Sequence, residues 1–306
     1  MALTNTKINP EFMLHAMSGD VNLTDVGSKI YCKLVTSSST VDAADPEFMS
    51  DLTSELQECA TSGYAQQELA SVTVAIDESN RRIELDAADI TFSSVGSGAT
   101  INGFVLVFDP DGTDTDSQNI LISTHKFASN FATDGDDIVI AVNAEGLVHF
   151  SAAVASDSAF NLEFLKAALA GGDYTTGGSE TWYCKLIMTN NTSEDQNPSP
   201  EFEDDITTLD EMDGSGYVTK AVTVTPTLSG QVVKLDFADQ TWTSLGAGTR
   251  SVAGFALFYN NSGSDDSSSN RLVMTNRATN ARAATGADFD LKLNASGAGD
   301  GEAIAS

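Results

Sequence analysis

The chain states its pattern twice. Tyr-Cys-Lys-Leu stands at Tyr31–Leu34 and again at Tyr183–Leu186. Four more motifs follow in the same order in each half: Pro-Glu-Phe (Pro46–Phe48, Pro200–Phe202), Ser-Gly-Tyr (Ser62–Tyr64, Ser215–Tyr217), Leu-Asp-x-Ala-Asp-x-Thr (Leu85–Thr91, Leu235–Thr241) and Gly-Phe (Gly103–Phe104, Gly254–Phe255). The offset holds near ~150 residues, which is the length of a domain and far beyond a solenoid repeat of roughly 20–50. A residue kept in both copies is therefore expected to serve the fold. A residue present in one copy is free to vary, or specialised.

The 306 residues accommodate two domains, each long enough to bury its own core. Apolar residues alternate at Ile30, Cys32 and Leu34, at Val72, Val74 and Ile76, and at Val222 and Val224, as one face of a strand requires. Ile83 and Leu85, matched by Val233 and Leu235, continue the pattern. Phe104–Phe108 and Phe255–Tyr259 read as strands buried on both faces, and Ile138–Val142 and Phe289–Leu293 as the last strands. Turn signals such as Gly96-Ser-Gly98 and Gly246-Ala-Gly248 separate them. A short helix opens each copy, at Phe12–Met17 and at Phe160–Ala170, the second with Ser156, Asp157 and Ser158 as N-cap candidates. The expected fold is mainly β: two tandem β-sandwich domains, each preceded by a short helix. The expected boundaries are an N-terminal arm at 1–10, repeats at 11–151 and 158–297 with a short joint between, and a C-terminal tail at 298–306.

The net charge is −29, from 44 acidic and 15 basic residues. Such a surface repels phosphate backbones and anionic bilayers, so neither nucleic acid nor membrane is an expected partner. The longest apolar run lies near Phe104–Phe108, far short of the ~20 residues of a membrane helix, and no secretory signal is visible at the start. Cys32 and Cys184 hold equivalent positions in separate repeats and are poorly placed to pair; Cys59 has no counterpart. Free thiols, two of them buried, are expected, as in a reducing cytoplasm.

Candidate chemistry is sparse. Asp109-Pro-Asp-Gly-Thr-Asp-Thr-Asp116 alternates carboxylates in the manner of a calcium loop, with Asp109, Asp111, Asp114 and Asp116 as cation ligands. The sixth position is Asp114 where an EF-hand needs Gly, and the twelfth is Ile120 where it needs Glu. A solvated hairpin loop is the better reading. Gly96-x-Gly98 and Gly246-x-Gly248 lack the Lys-Ser/Thr of a phosphate cradle. His15, His125 and His149 do not recur in the second copy, and they form no zinc-ligand spacing. A Ser/His/Asp set is not excluded by spacing, yet no nucleophile elbow occurs. Asp86, Asp89, Asp236 and Asp239 recur and read as strand-end residues. Trp182, Trp242, Phe92 and Tyr31 read as strand packing rather than sugar platforms. No catalytic residue, metal or cofactor is expected.

The assembled order resembles a family of small structural proteins encoded by tailed bacteriophages. It runs from a short helix ending in Gly-Asp through Ile-Tyr-Cys-Lys-Leu, Pro-Glu-Phe-x-x-Asp, Ser-Gly-Tyr, Val-Thr-Val, Leu-Asp-x-Ala-Asp and the apolar Gly-Phe strand. It closes on Asn-Ala-x-Gly at Asn143–Gly146. Members of that family typically carry one such unit; here two cover nearly the whole chain. The second keeps Asn294-Ala-Ser-Gly297 but replaces Leu147-Val-His-Phe150 by Ala298-Gly-Asp-Gly301. The resemblance implies a virion component assembled in the host cytoplasm and does not fix which part of the virion. Two related but non-identical domains in one chain make a non-enzymatic capsid decoration or cement protein, bridging capsomers on the head exterior, the first expectation. Its partners would be the major capsid protein or other virion proteins, with self-association in the particle. A neck, tail or fibre protein and a carbohydrate-binding adhesin are the alternatives.

Overall fold

In the computed structural model the chain is mainly β, with several sheets and, among the described residues, two short α-helices. The described residues are 3–113, 115–142, 146–151, 158–174, 180–193, 196–229, 232–292 and 302–304. The chain divides into two compact units. Unit 1 comprises Met1–Ala75, Ile83–Phe150 and Ala168–Asp173; unit 2 comprises Ile76–Arg82, Ser151–Ala167 and Tyr174–Ser306.

The first repeat runs β1 (Leu3–Ile8), α1 (Pro10–Met17), β2 (Lys29–Thr36), β3 (Gln67–Glu68), β4 (Thr73–Asp77), β5 (Arg82–Asp86), β6 (Ile90–Phe92), β7 (Thr100–Asp109), β8 (Ile120–Ala132), β9 (Ile138–Ile140) and β10 (Val148–Ser151). Its main sheet has the order β1-β8-β7-β2-β3. The run Phe104–Phe108 fills the middle of β7, every residue at most 1% exposed, as a strand covered on both faces demands. Neighbours β2 and β7 pair Cys32 with Leu106 and Ile30 with Phe108. Phe12 of α1 stacks on Phe150 of β10, with centroids 5.7 Å apart.

The second repeat follows the same plan: β11 (Ser158–Phe160), α2 (Leu162–Leu169), β12 (Thr181–Met188), β13 (Lys220–Val222), β14 (Thr225–Ser229), β15 (Val232–Asp236), β16 (Gln240–Trp242), β17 (Val252–Asn260), β18 (Arg271–Arg282), β19 (Phe289–Lys292) and β20 (Glu302–Ile304). The main sheet is β11-β18-β17-β12-β13. Matching core clusters sit on both sheets. Val35, Val105, Val107 and Leu121 in unit 1 correspond to Ile187, Ala256, Phe258 and Leu272 in unit 2. Val105 becomes smaller where Val107 becomes larger, so volume is roughly conserved, which is what a close-packed core tolerates best.

Three boundaries differ from the sequence reading. Within the expected arm, residues 3–10 are not free: Leu3–Ile8 pair antiparallel with β8, Ile8 opposite Ser123, and Pro10 opens α1. The counterpart β11 pairs with β18 in the same way, Phe160 opposite Met274. Sheet edges are built from main-chain groups, so two segments share a place without sharing a sequence. For the same reason Phe160 is strand and not helix. The cap of α2 is Asn161, whose side-chain oxygen accepts from the Phe164 N–H at 3.0 Å; Ser158 lies in β11, and Ser156 and Asp157 lie outside the described residues. Within the expected tail, Glu302–Ile304 form β20 on β19, whereas β10 sits on β5. The repeats thus close differently where their sequences part. Asn143–Glu145 and Asn294–Gly297 lie outside the described residues.

Candidate functional site

Several of the polar residues kept in both repeats are engaged in bonds that build the fold. The Ser-Gly-Tyr turn docks on the Gly-x-Gly turn: the Gly96 N–H donates to the Ser62 carbonyl and that of Gly246 to the Ser215 carbonyl, each at 2.7 Å. Gly63 has φ +78° and a Cβ there would lie 2.5 Å from the Ser94 carbonyl oxygen, so the turn requires glycine. The Tyr64 hydroxyl accepts from the Leu34 N–H (3.0 Å) and donates to Glu58 (2.7 Å). Tyr217 repeats this with Leu186 (3.1 Å) and Glu211 (2.8 Å). Asp89 accepts from the Val142 N–H at 2.9 Å. All three cysteines are buried and free, and burial pushes the Cys32 and Cys184 thiols up, away from reactivity. Trp182, Trp242 and Phe92 are buried in the core.

The Asp109–Asp116 loop uses its oxygens locally. Asp109 is fully buried at the end of β7, and its Oδ1 accepts from the N–H groups of Asp111 (3.2 Å) and Gly112 (2.8 Å). Asp111 Oδ1 accepts from Thr113 Oγ1 (2.6 Å) and the Thr113 N–H (3.0 Å), bonds that hold its carboxyl below the usual range. The Asp116 carbonyl accepts from the Ser50 N–H at 2.9 Å. Asp114 lies outside the described residues. In the second repeat Asn260 takes the place of Asp109 and accepts from Ser262 N and Oγ, both at 2.7 Å. The position thus needs a buried turn-capping oxygen and not a charge. Among the described residues, no group of three or more His, Cys, Asp or Glu is arranged to hold a metal ion.

His125 is buried on β8, its ring stacked on Phe104 at 4.3 Å. Ser123 Oγ lies 2.8 Å from Nε2, and Thr6 Oγ1 lies 3.2 Å from Nδ1. A triad would place a carboxylate on Nδ1; here a threonine hydroxyl of β1 holds it. Burial lowers the pKa of this histidine to about 3, from 6.5. Below pH 6.5 the unfolded chain takes a proton that the folded chain refuses. Stability present above that value is therefore lost as pH falls toward 3, by up to about 1.4 kcal/mol per pH unit. His125→Asn, which installs the residue found at Asn276, is expected to flatten this loss in unit 1 when urea unfolding is followed at pH values from about 7 to about 4.

One cluster gathers around the lysine of the second Tyr-Cys-Lys-Leu motif. In unit 2, Lys185 of β12 has a side chain 6% exposed, with Glu203 at 2.7 Å, Asp265 at 3.1 Å and Glu211 at 3.7 Å from Nζ. The Phe258 ring lies 5.6 Å away. Burial lowers the Lys185 pKa, but the three carboxylates outweigh it and the net shift is upward. Glu211 is raised, by burial first, with Lys185 pulling the other way. Asp265 is lowered: burial opposes, while Asn270 and Lys185 prevail. The equivalent Lys33 sits 3.8 Å from Glu58, and Met49, buried, occupies the place of Glu203. An acid where the other copy has an apolar residue was the available signal. Comparison with protein-family models, curated proteins and solved structures finds no match.

Proposed function

We propose that the chain is a non-enzymatic structural protein of a bacteriophage particle, built as two tandem β-sandwich domains that decorate and cement the head exterior. One observation carries this reading beside the sequence resemblance: the polar residues described above that both repeats retain are engaged in internal bonds, as with Tyr64 and Glu58 and with Tyr217 and Glu211. What distinguishes the repeats then lies in residues present once. Two related but unequal surfaces suit the bridging of neighbouring capsomers, where contacts of standard size gain strength through repetition. The charge of −29 would keep a densely coated particle soluble. The test is to strip the protein from phage heads and heat them. Stripped heads are expected to release DNA at lower temperature, and added protein to restore the original midpoint. Unchanged head stability removes the cementing role, and immunogold labelling confined to the tail moves the protein to the neck, tail or fibre.

A further inference from the structure

The Lys185 cluster holds one ammonium against three carboxylates from separate segments. Glu203 comes from the 3-10 turn Glu203–Asp205, Glu211 from the chain before β13, and Asp265 from the loop between β17 and β18. The turn and the loop are also clasped through the backbone. The Glu203 N–H donates to the Asn270 carbonyl (2.9 Å) and that of Asp204 to the Ser267 carbonyl (3.2 Å). Asn270 Nδ2 reaches both Glu203 Oε2 (2.7 Å) and Asp265 Oδ1 (2.6 Å). Unit 1 has the same clasp: Met49 N–H to Asn119 (2.8 Å) and Ser50 N–H to Asp116 (2.9 Å). Its first contact is an uncharged methionine.

We propose that this cluster is a proton-operated latch: one proton taken up by Glu211 closes the Glu203–Asp205 turn and the β17–β18 loop more firmly over β12, in unit 2 alone. Glu211 is the acid because Glu203 and Asp265 sit closer to the ammonium. Its Oε1 accepts from the hydroxyls of Tyr217 (2.8 Å) and Thr219 (3.2 Å), and its Oε2 faces Lys185. Elsewhere on the clasp, Glu201 and Arg271 pair with each other at 2.7 Å, the Asp205 carboxylate accepts from the Phe202 N–H (3.0 Å), that of Asp266 accepts from Ser268, and Asp204 is exposed to water. With the latch shut, Glu211 faces Glu203 and Asp265 in a partly dry site. With it open, those acids withdraw and water enters. The closed form thus binds the proton more tightly, and closure strengthens as pH falls toward the ordinary carboxyl value. Lys185, raised, titrates above that window, and Asp265, lowered, below it.

The experiment is amide exchange at Glu203 and Asp204 between about pH 8 and about pH 5, corrected for intrinsic rates, with Met49 and Ser50 as internal controls. Protection in unit 2 is expected to grow by up to about tenfold per pH unit as pH falls, the limit for one proton, while the controls stay level. Glu211→Gln is expected to hold the latch shut at every pH, and Glu203→Met to give unit 2 the flat profile of unit 1. Equal profiles in the two units, no pH response in unit 2, or a slope that survives Glu211→Gln would each overturn the latch.

Discussion

Replacing Lys185 by methionine is expected to cost unit 2 about 3 kcal/mol of stability. Breaking a buried ion pair from one side leaves the remaining charge uncompensated, at roughly 3–5 kcal/mol. Here three carboxylates are left facing one another within the space of one ammonium. Side-chain exposures of 28% for Glu211 and 35% for Asp265 admit water, which screens the repulsion and places the expectation at the lower end. The readout is selective: both tryptophans, Trp182 and Trp242, lie buried in unit 2, so fluorescence during urea unfolding reports that unit. Adding Glu203→Met to Lys185→Met removes one of the stranded charges, and should recover part of the loss. A single-variant loss below about 1 kcal/mol would show the cluster to be solvent-screened throughout, as exposed pairs are.

The strands that could be read in advance were those whose side chains alternate or are uniformly apolar. β2, β7, β12 and β17 are of this kind, and their registers place Cys32 and Cys184 opposite Leu106 and Leu257. The two longest partners, β8 and β18, escaped. After Ile120–Ile122 and Leu272–Met274 their sequences turn polar, as Ser-Thr-His-Lys and Thr-Asn-Arg, which does not look like sheet interior. Yet Ser123, Thr124 and His125 are buried, as are Thr275 and Asn276. Hydrogen bonding makes polar side chains tolerable inside, as Ser123 and Thr6 do for His125. Edge strands β1 and β11 escaped for the opposite reason: their place is set by backbone pairing, to which side-chain pattern contributes little. The Lys185 cluster joins residues far apart in the chain, so no motif could hold it. Only the contrast of Glu203 with Met49 pointed there.

The Gly-Phe motif, among the features first visible in the duplication, yields the other large effect. Gly103→Ala and Gly254→Ala are each expected to destabilise their unit by about 3 kcal/mol, the upper part of the range for overpacking. A Cβ at Gly103 would lie 2.1 Å from the His125 carbonyl oxygen, and one at Gly254 would lie 1.9 Å from that of Asn276. Both glycines sit beside a register shift in the central strand pair, next to Ile101 in β7 and to Val252 in β17. There the extra residue of a bulge draws two backbones together. The obstructing atom is main chain in a paired strand, so no rotamer change can relieve it. The strand pair must separate, or the bulge must move and turn its neighbours over. Tryptophan fluorescence reads the loss for Gly254→Ala, and amide exchange across β7 and β8 reads it for Gly103→Ala. Gly27→Ala, where the nearest atom to a Cβ is the Asp25 carboxylate at 3.7 Å, is the control and should be close to neutral. Wild-type stability in the two bulge variants would mean that the bulge relaxes freely, and that the glycine is retained in both repeats for some reason other than this contact.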